Sequence, residues 1–421
     1  MHTELLSPAG TLVNMRYAFA YGADAVYAGL PRYSLRVRNN DFDIANLKQG
    51  IGEAHLQGKK FYFTCNLLPH DKKVSSFIND ISEVIDAAPD AMIMADPGLI
   101  MLVRERWPDM PIHLSVQANT LNSASVKFWH QLGVERIILS RELSLDEIEH
   151  IRQECPEMQL EVFVHGALCM AYSGRCLLSG YFNHRDPNQG SCTNSCRWQY
   201  KLHPANQEIT GDITPDTNSS AILPSKEFLL EESGRPGEFM PISEDEHGTY
   251  IMNSKDLRAV EHVNALVKMG IDSLKIEGRT KSHYYTARTA QVYRQAIDDA
   301  HAGKDFDPNL LVSLENLASR GYTDGFYQRH QSDAMQNYIS SYSSSSQQIV
   351  VGEIAAYDAS TKLTTIKAKN KTVEYNTLFL ALRNITDPNT INGPIMLLRV
   401  PANTIPTVVN NVRNVSLENN P

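Results

Sequence analysis

The chain has 421 residues, 42% of them hydrophobic, and a formal net charge of −9. That length holds one large domain plus a smaller one, and the acidic total at first argues against a nucleic-acid partner. Met1-His2-Thr3-Glu4 lacks the basic start of a signal peptide, and no apolar run reaches the roughly 18 residues of a membrane span, so the expectation is a cytoplasmic protein with no membrane partner.

In chain order, short apolar runs alternate with helical patterns. Glu4 to Ser7 reads as a strand closed by Pro8-Ala9-Gly10, with a helix from about Thr11 to Tyr21. Asp24 to Ala28 is the next strand, and a loop from Pro31 to Phe42 leads to a helix from about Ile44 to Leu56. Strand Lys60 to Asn66 precedes helix Val74 to Ala87, and strand Asp90 to Ala95 ends at Asp96-Pro97-Gly98 before helix Leu99 to Arg106. Strand Ile112 to Val116, helix Ser123 to Leu132 and strand Arg136 to Leu139 follow. Ser144 caps the next helix, with Glu147 three residues on as a capping box. Strand Leu160 to Val164 then delivers His165. Helix Arg258 to Lys268 and strand Asp272 to Ile276 complete eight βα-type units. Strands this apolar are buried on both faces, and eight such units predict a (β/α)8 TIM-type barrel rather than an open doubly wound sheet.

In such a barrel the chemistry sits at the C-terminal ends of the strands. Polar residues gather there, among them Asn66, Gln117, Arg141, His165, Glu277 and Arg279. Asp96 and Glu142 also fit simple capping and turn roles. The seventh strand leads directly into residues 161–198, which hold Cys169, Cys176, Cys192 and Cys196, four of the six cysteines, in a C-x6-C-x15-C-x3-C spacing. Thiolates clustered in a reducing compartment point to metal chemistry rather than disulfides. A zinc site pairs its cysteines in tighter knuckles, and only Cys192 and Cys196 are close enough for one; the spacing favours an iron–sulfur cluster, with zinc left open. Cys65 is expected in the core and Cys155 at a helix end.

Residues 200–247 carry ten acids and three bases, a net −7 that leaves −2 for the rest of the chain. The acidity is therefore local, and a basic face elsewhere is allowed. The stretch reads as an irregular insertion or hairpin, turning at Arg235-Pro236-Gly237. Helix Thr280 to Ala302 interleaves basic and aromatic residues, a pattern that suits stacked bases on a nucleic-acid backbone but also a plain outer helix of the barrel, the reading preferred. The division expected is a barrel over 1–337, a Ser-rich linker over 338–348, a small β-barrel-like domain over 349–410 and a frayed tail over 411–421. No G-x-S-x-G elbow, HExxH helix, Walker loop or G-x-G-x-x-G after a strand is present.

HGALCMAYSGRCLLSG, RDPNQGSCTNSCRW and SLKIEGRTKS, together with ELLSPAGTLVNMRYAFAYGADAVYAGLPRYSLRVRNN and HGTYIMNSKDLRA, resemble peptidase family U-32 over roughly residues 4–330. The resemblance implies a barrel followed by a small β-domain and a [4Fe-4S] cluster on Cys169, Cys176, Cys192 and Cys196, loaded by iron–sulfur assembly machinery. It further implies oxygen-independent hydroxylation, here of the tRNA wobble uridine in the anticodon loop to 5-hydroxyuridine, linked to prephenate, a small dicarboxylate. Polyanionic tRNA and a dicarboxylate both call for arginines. Arg36, Arg38, Arg141, Arg175, Arg185 and Arg279, with Gln117, are the expected substrate-binding residues, and His165 and Glu277 the expected catalytic ones. The competing expectations are a U-32-type peptidase, which lacks a readable catalytic motif, and an RNA-binding or scaffold protein with a structural cluster.

Overall fold

The computed structural model describes residues 2–34, 41–167, 255–315, 317 and 321–328 in full. It also describes residue 237 and the backbone of strands within 171–250 and 349–418. The chain falls into two units, one of Met1–His165, Val260–Leu317 and Ser346–Pro421, the other of Gly166–Ala259 and Ala318–Ser345.

In the first unit, eight parallel strands close into a barrel: β1 (Glu4–Pro8), β2 (Ala25–Ala28), β3 (Lys60–Cys65), β4 (Ala91–Met94), β5 (Ile112–Leu114), β6 (Arg136–Ile138), β7 (Gln159–Ala167) and β8 (Ser273–Ile276). Neighbours in sequence pair in sequence order. The ring closes where Leu274 of β8 lies opposite both Val162 of β7 and Leu5 of β1. All eight strands are those foreseen. They were legible because side chains such as Leu5, Val26, Phe61, Met92 and Leu160 face outward against helices and are fully buried.

The connecting helices start where the sequence offers caps. Thr11 accepts from the Asn14 N–H at the start of α1 (Leu12–Ala20). Asp43 and Asn46 form a capping box on α2 (Ile44–Leu56). After α3 (Asp71–Asp86), Asp96 caps α4 (Pro97–Arg106), whose first residue, Pro97, has no N–H to satisfy. Asn122 caps α5 (Ser123–Gln131), and Ser144 with Glu147 forms the expected box on α6 (Leu145–Glu154). Beyond the short α7 (Val263–Lys268), α8 (His283–His301) buries Tyr285, Ala287, Ala290, Tyr293 and Ile297. Its Arg294 pairs with Asp24 at 2.9 Å and Asp298 at 2.7 Å. The basic and aromatic residues of this helix are thus used in packing, as in the plain outer-helix reading. No helix among the described residues is long and apolar enough to cross a membrane.

In the second unit, the stretch expected to be an irregular insertion or a hairpin contains paired strands. Strands Tyr200–Gln207, Ile213–Pro215, Phe228–Glu232, Phe239–Asp245 and Gly248–Tyr250 form an antiparallel sheet. The Pro, Ser and Gly content obscured strands that mix acidic with apolar residues, as in Phe228-Leu229-Leu230-Glu231-Glu232. The turn at Gly237 was foreseen; its φ of 88° is open to glycine at no cost. Strand Asp256–Arg258 pairs in parallel with Tyr322–Thr323, where the sequence pattern had suggested the start of a helix.

The C-terminal strands form a five-stranded sheet in the order Leu378–Ala381, Ile395–Arg399, Ile349–Asp358, Leu363–Ala368, Val415–Glu418. The last strand corrects the expected frayed tail: Val415 and Leu417 pair in parallel with Thr364 and Ile366.

Candidate active site at the barrel mouth

Residues paired across neighbouring parallel strands share a face of the sheet. The registers therefore put Glu4, Tyr27, Tyr62, Arg136, Glu161 and Lys275 on the inner face of the barrel. The interior is polar to a degree that the apolar strands did not suggest, and its charges alternate. Arg136 meets Glu4 at 2.5 Å and Glu161 at 3.3 Å, and Lys275 meets Glu161 at 2.7 Å. Tyr62 donates to Glu4 at 2.6 Å and Ser273 does so at 3.1 Å, while Gln159 accepts two bonds from Arg136. Two acids and two bases cancel, which is the condition under which buried charge is tolerated.

This ladder sets the protonation of its members. Burial raises the Glu4 pKa, but Arg136 and the Tyr62 hydroxyl outweigh it and hold the carboxyl below its usual range. Burial, then Arg136 and Lys275, push His113 well below its ordinary value, so its imidazole is neutral.

Above the ladder, towards the strand C-termini, cations stand over aromatic rings. The Lys275 Nζ is 4.4 Å from the centroid of Tyr27 and 5.4 Å from that of Phe163. The Arg141 guanidinium lies 3.8 Å over Phe163, and that of Arg279 5.6 Å over Tyr27. Burial and then the Glu277 carboxylate raise the Tyr27 phenol, with Arg279 and Arg141 opposing. Arg279 thus stands over Tyr27 and Arg141 over Phe163, and Glu277 directly follows Ile276, whose carbonyl accepts from the Tyr27 hydroxyl at 2.9 Å.

Backbone geometry fixes two of them. Gly278 has φ of 146°, and a Cβ there would fall 2.5 Å from the Tyr285 ring. Only glycine fits the turn that carries Glu277 and Arg279. Arg279 also donates to Ser34, and the Tyr285 hydroxyl donates to the Glu277 carbonyl at 2.7 Å.

His165 is placed differently. Its side chain is 1% exposed, with Nδ1 3.3 Å from the Tyr293 hydroxyl and its ring 5.7 Å from that of Tyr285. It packs against α8. A shift in the β7–β8 register between Lys275 and Ile276 brings His165 opposite Ile276. Gln117 is half-buried on a short turn, Val116–Ala118, that follows β5; this turn is capped by the Ser115 hydroxyl and closed by Asn119 in a left-handed conformation.

Arg36, Arg38, Arg185, Cys169, Cys192 and Cys196 lie outside the described residues. The backbone of Arg175–Cys176 pairs antiparallel with Ala171–Tyr172, which sets Cys176 opposite Ala171, two residues beyond Cys169. Cys65 and Cys155 are buried and free; burial raises both thiols, and neither is a reactive thiolate.

Sequence reasoning missed Tyr27, Lys275, Glu161 and Arg136. The available signal was a single charged residue inside each of three otherwise apolar strands: Arg136-Ile137-Ile138, Leu160-Glu161-Val162 and Leu274-Lys275-Ile276.

The sequence profile of peptidase family U32 matches residues 10–337. The chain is 62% identical over 379 residues to the tRNA hydroxylation protein P of Escherichia coli (strain K12), covering 87% of this chain and 83% of that one. The protein of the same name from Haemophilus influenzae is 60% identical over 382 residues, with the same coverage. The Escherichia coli 23S rRNA 5-hydroxycytidine C2501 synthase is 31% identical over 341 residues, covering 78% of this chain and 46% of that one. The chain belongs to peptidase family U32.

Proposed function

We propose that this U32-family chain hydroxylates tRNA, converting the wobble uridine to 5-hydroxyuridine. The observation that carries the reading is the identity of 60–62%, over 87% of the chain, to two proteins named for tRNA hydroxylation. A relative named for 5-hydroxycytidine synthesis in rRNA supports position 5 of a pyrimidine as the target. The net change at the base, C5–H to C5–OH, needs an oxygen donor and a two-electron acceptor besides the barrel's own residues. A base splayed out of the anticodon loop can enter a barrel mouth, as bases do in other modifying enzymes.

The barrel's own residues support this chemistry. Phe163 and Tyr27 offer flat faces, and Arg141, Arg279 and Lys275 offer positive charge around them. Such a half-site holds a carboxylate or phosphate beside a ring. We assign a prephenate-type dicarboxylate to Arg141 and Arg279, with Glu277 next to it as the group that holds or accepts a proton. His165 orients the end of β7 through Tyr293. Cys169, Cys176, Cys192 and Cys196 would hold a [4Fe–4S] cluster, a donor set of thiolates suited to it. When bound, the cluster supplies one-electron chemistry or a Lewis-acidic iron. The location that follows is cytoplasmic.

The test is nucleoside mass spectrometry of tRNA from a deletion strain that also lacks any oxygen-dependent parallel route. Wild-type protein should restore 5-hydroxyuridine-derived nucleosides, and Cys176→Ala should not. If those nucleosides persist after deletion, the reading fails. Anaerobic purification adds a direct check: the expected protein is brown with about four irons per cluster, and a colourless protein with stoichiometric zinc contradicts it.

A further inference from the structure

The rim of the barrel mouth carries its charge unevenly. Where α6 begins, the first turn holds Asp146 and Glu147, acids at the helix end that favours them. Where α3 begins, the first residues are Asp71, Lys72 and Lys73. Two lysines at this end oppose the helix dipole, so helix stability does not account for them. The loop after β2 is fastened to the same place. The Lys73 Nζ donates to the Arg32 carbonyl at 3.0 Å, and the Arg32 guanidinium meets Asp80 at 3.2 Å and Ser76 at 2.9 Å. Below them, buried Tyr33 packs its ring edge-on against Phe77, and its carbonyl accepts from the Leu67 N–H at 3.0 Å.

These cations are open to solvent. The Arg32 side chain is 56% exposed, Lys72 is exposed and Lys73 is half-buried. Lys72 forms no ion pair among the described residues. Two acids stand near them, Asp71 and Asp80, and Asp80 is already engaged by Arg32, Tyr33 and Ser76. Ser34, two residues after Arg32, accepts from Arg279, so this part of the rim borders the cations that stand over Tyr27. We propose that Arg32, Lys72 and Lys73 form a phosphate-contacting face that seats the backbone of the tRNA anticodon stem-loop beside the barrel mouth. This rests on the tRNA-hydroxylation reading above.

The chemistry follows from charge and placement. A base that enters the mouth brings its neighbouring phosphates to the rim, and exposed lysine and arginine side chains neutralise phosphates with release of counterions. Such contacts fix the position of the nucleic acid and carry no base information. The ammonium of Lys73 keeps donors to spare after its bond to Arg32. The net acidity of the chain does not oppose this, because residues 200–247 carry most of it.

The experiment titrates labelled tRNA with anaerobically purified holoprotein at a series of salt concentrations, read by fluorescence anisotropy. Lys72→Gln should weaken binding several-fold at low salt and reduce the slope of log affinity against log salt by about one. The loss should be equal for tRNAs with U or C at the wobble position. Lys72→Glu should weaken binding further, with the melting temperature of wild type, since Lys72 is exposed. Lys304→Gln should bind like wild type, because Lys304 lies beyond the end of α8, where His301 meets Thr3 at the start of β1. If Lys72→Glu and Arg32→Gln both keep the wild-type affinity and slope while wild type restores 5-hydroxyuridine to a deletion strain, the rim assignment falls and the hydroxylation reading stands. If deletion leaves 5-hydroxyuridine unchanged, the hydroxylation reading falls and takes the rim assignment with it.

Discussion

At the level of Glu161, each charge inside the barrel is answered by another: Arg136 and Lys275 both reach this one carboxylate, which is 0% exposed, and Arg136 continues to Glu4. One layer higher, the cations Arg141 and Arg279 stand over the rings of Phe163 and Tyr27, and Arg141 is only half-buried. The same residue types serve different ends at the two levels. A closed, neutral, fully bonded ladder contributes to a unique fold, because breaking it strands charge away from water. Positive charge over aromatic faces is a setting in which an anionic group can lie beside a ring. Lys275 belongs to both levels, with its ammonium on Glu161 and over Tyr27.

Substitutions test this division by separating stability from activity. The largest loss of stability is expected for Glu161→Ala, which leaves Arg136 and Lys275 short of a carboxylate; denaturant unfolding should show about 3–5 kcal/mol of destabilisation. Lys275→Met should cost less, about 2–3 kcal/mol, because Glu161 keeps Arg136 and the apolar chain fills the same space. If either change proves neutral, the ladder is not what holds the floor together.

A smaller effect should appear in acid. The Glu4 carboxyl is held below its ordinary value of 4.5, burial opposing and Arg136 with Tyr62 outweighing it. The folded state therefore binds fewer protons than the unfolded state near that pH. The contribution of Glu4 is fully present above 4.5 and is lost as pH falls through the lower folded value. Glu4→Gln should flatten stability against pH in that window, read by urea unfolding at a series of pH values. At the mouth, Arg141→Met should change stability by less than about 1 kcal/mol, since an Arg over one aromatic face contributes little in a partly solvated setting.

The sequence made the barrel legible and the ladder illegible for one physical reason. Outward residues such as Phe61, Met92 and Leu160 are buried under helices, so each strand reads as an apolar run. Inward residues meet only when the ring closes: Glu4 and Arg136 are 132 residues apart, and Glu161 and Lys275 are 114 apart. No local pattern announces such a pair. Tyr285, Tyr293 and Arg294 interleave on one helix in a pattern that also suits a nucleic-acid face, and they answer to Glu277, Val164 and Asp24, as the preferred outer-helix reading has it. Arg141, Glu277 and Arg279 were singled out because the barrel rule places chemistry at strand C-termini, and the structure places them there. Tyr27 and Lys275, one step inside, looked like strand interior.

The most direct test of the division between floor and mouth is the 5-hydroxyuridine content of tRNA in a deletion strain that produces Arg141→Met, with the protein level and melting temperature measured in parallel. The expected result is a protein that accumulates and melts like wild type while 5-hydroxyuridine falls by about tenfold or more, the loss typical when a substrate-anchoring charge is removed. Wild-type 5-hydroxyuridine in that strain would contradict the assignment of the barrel mouth as the site of the reaction.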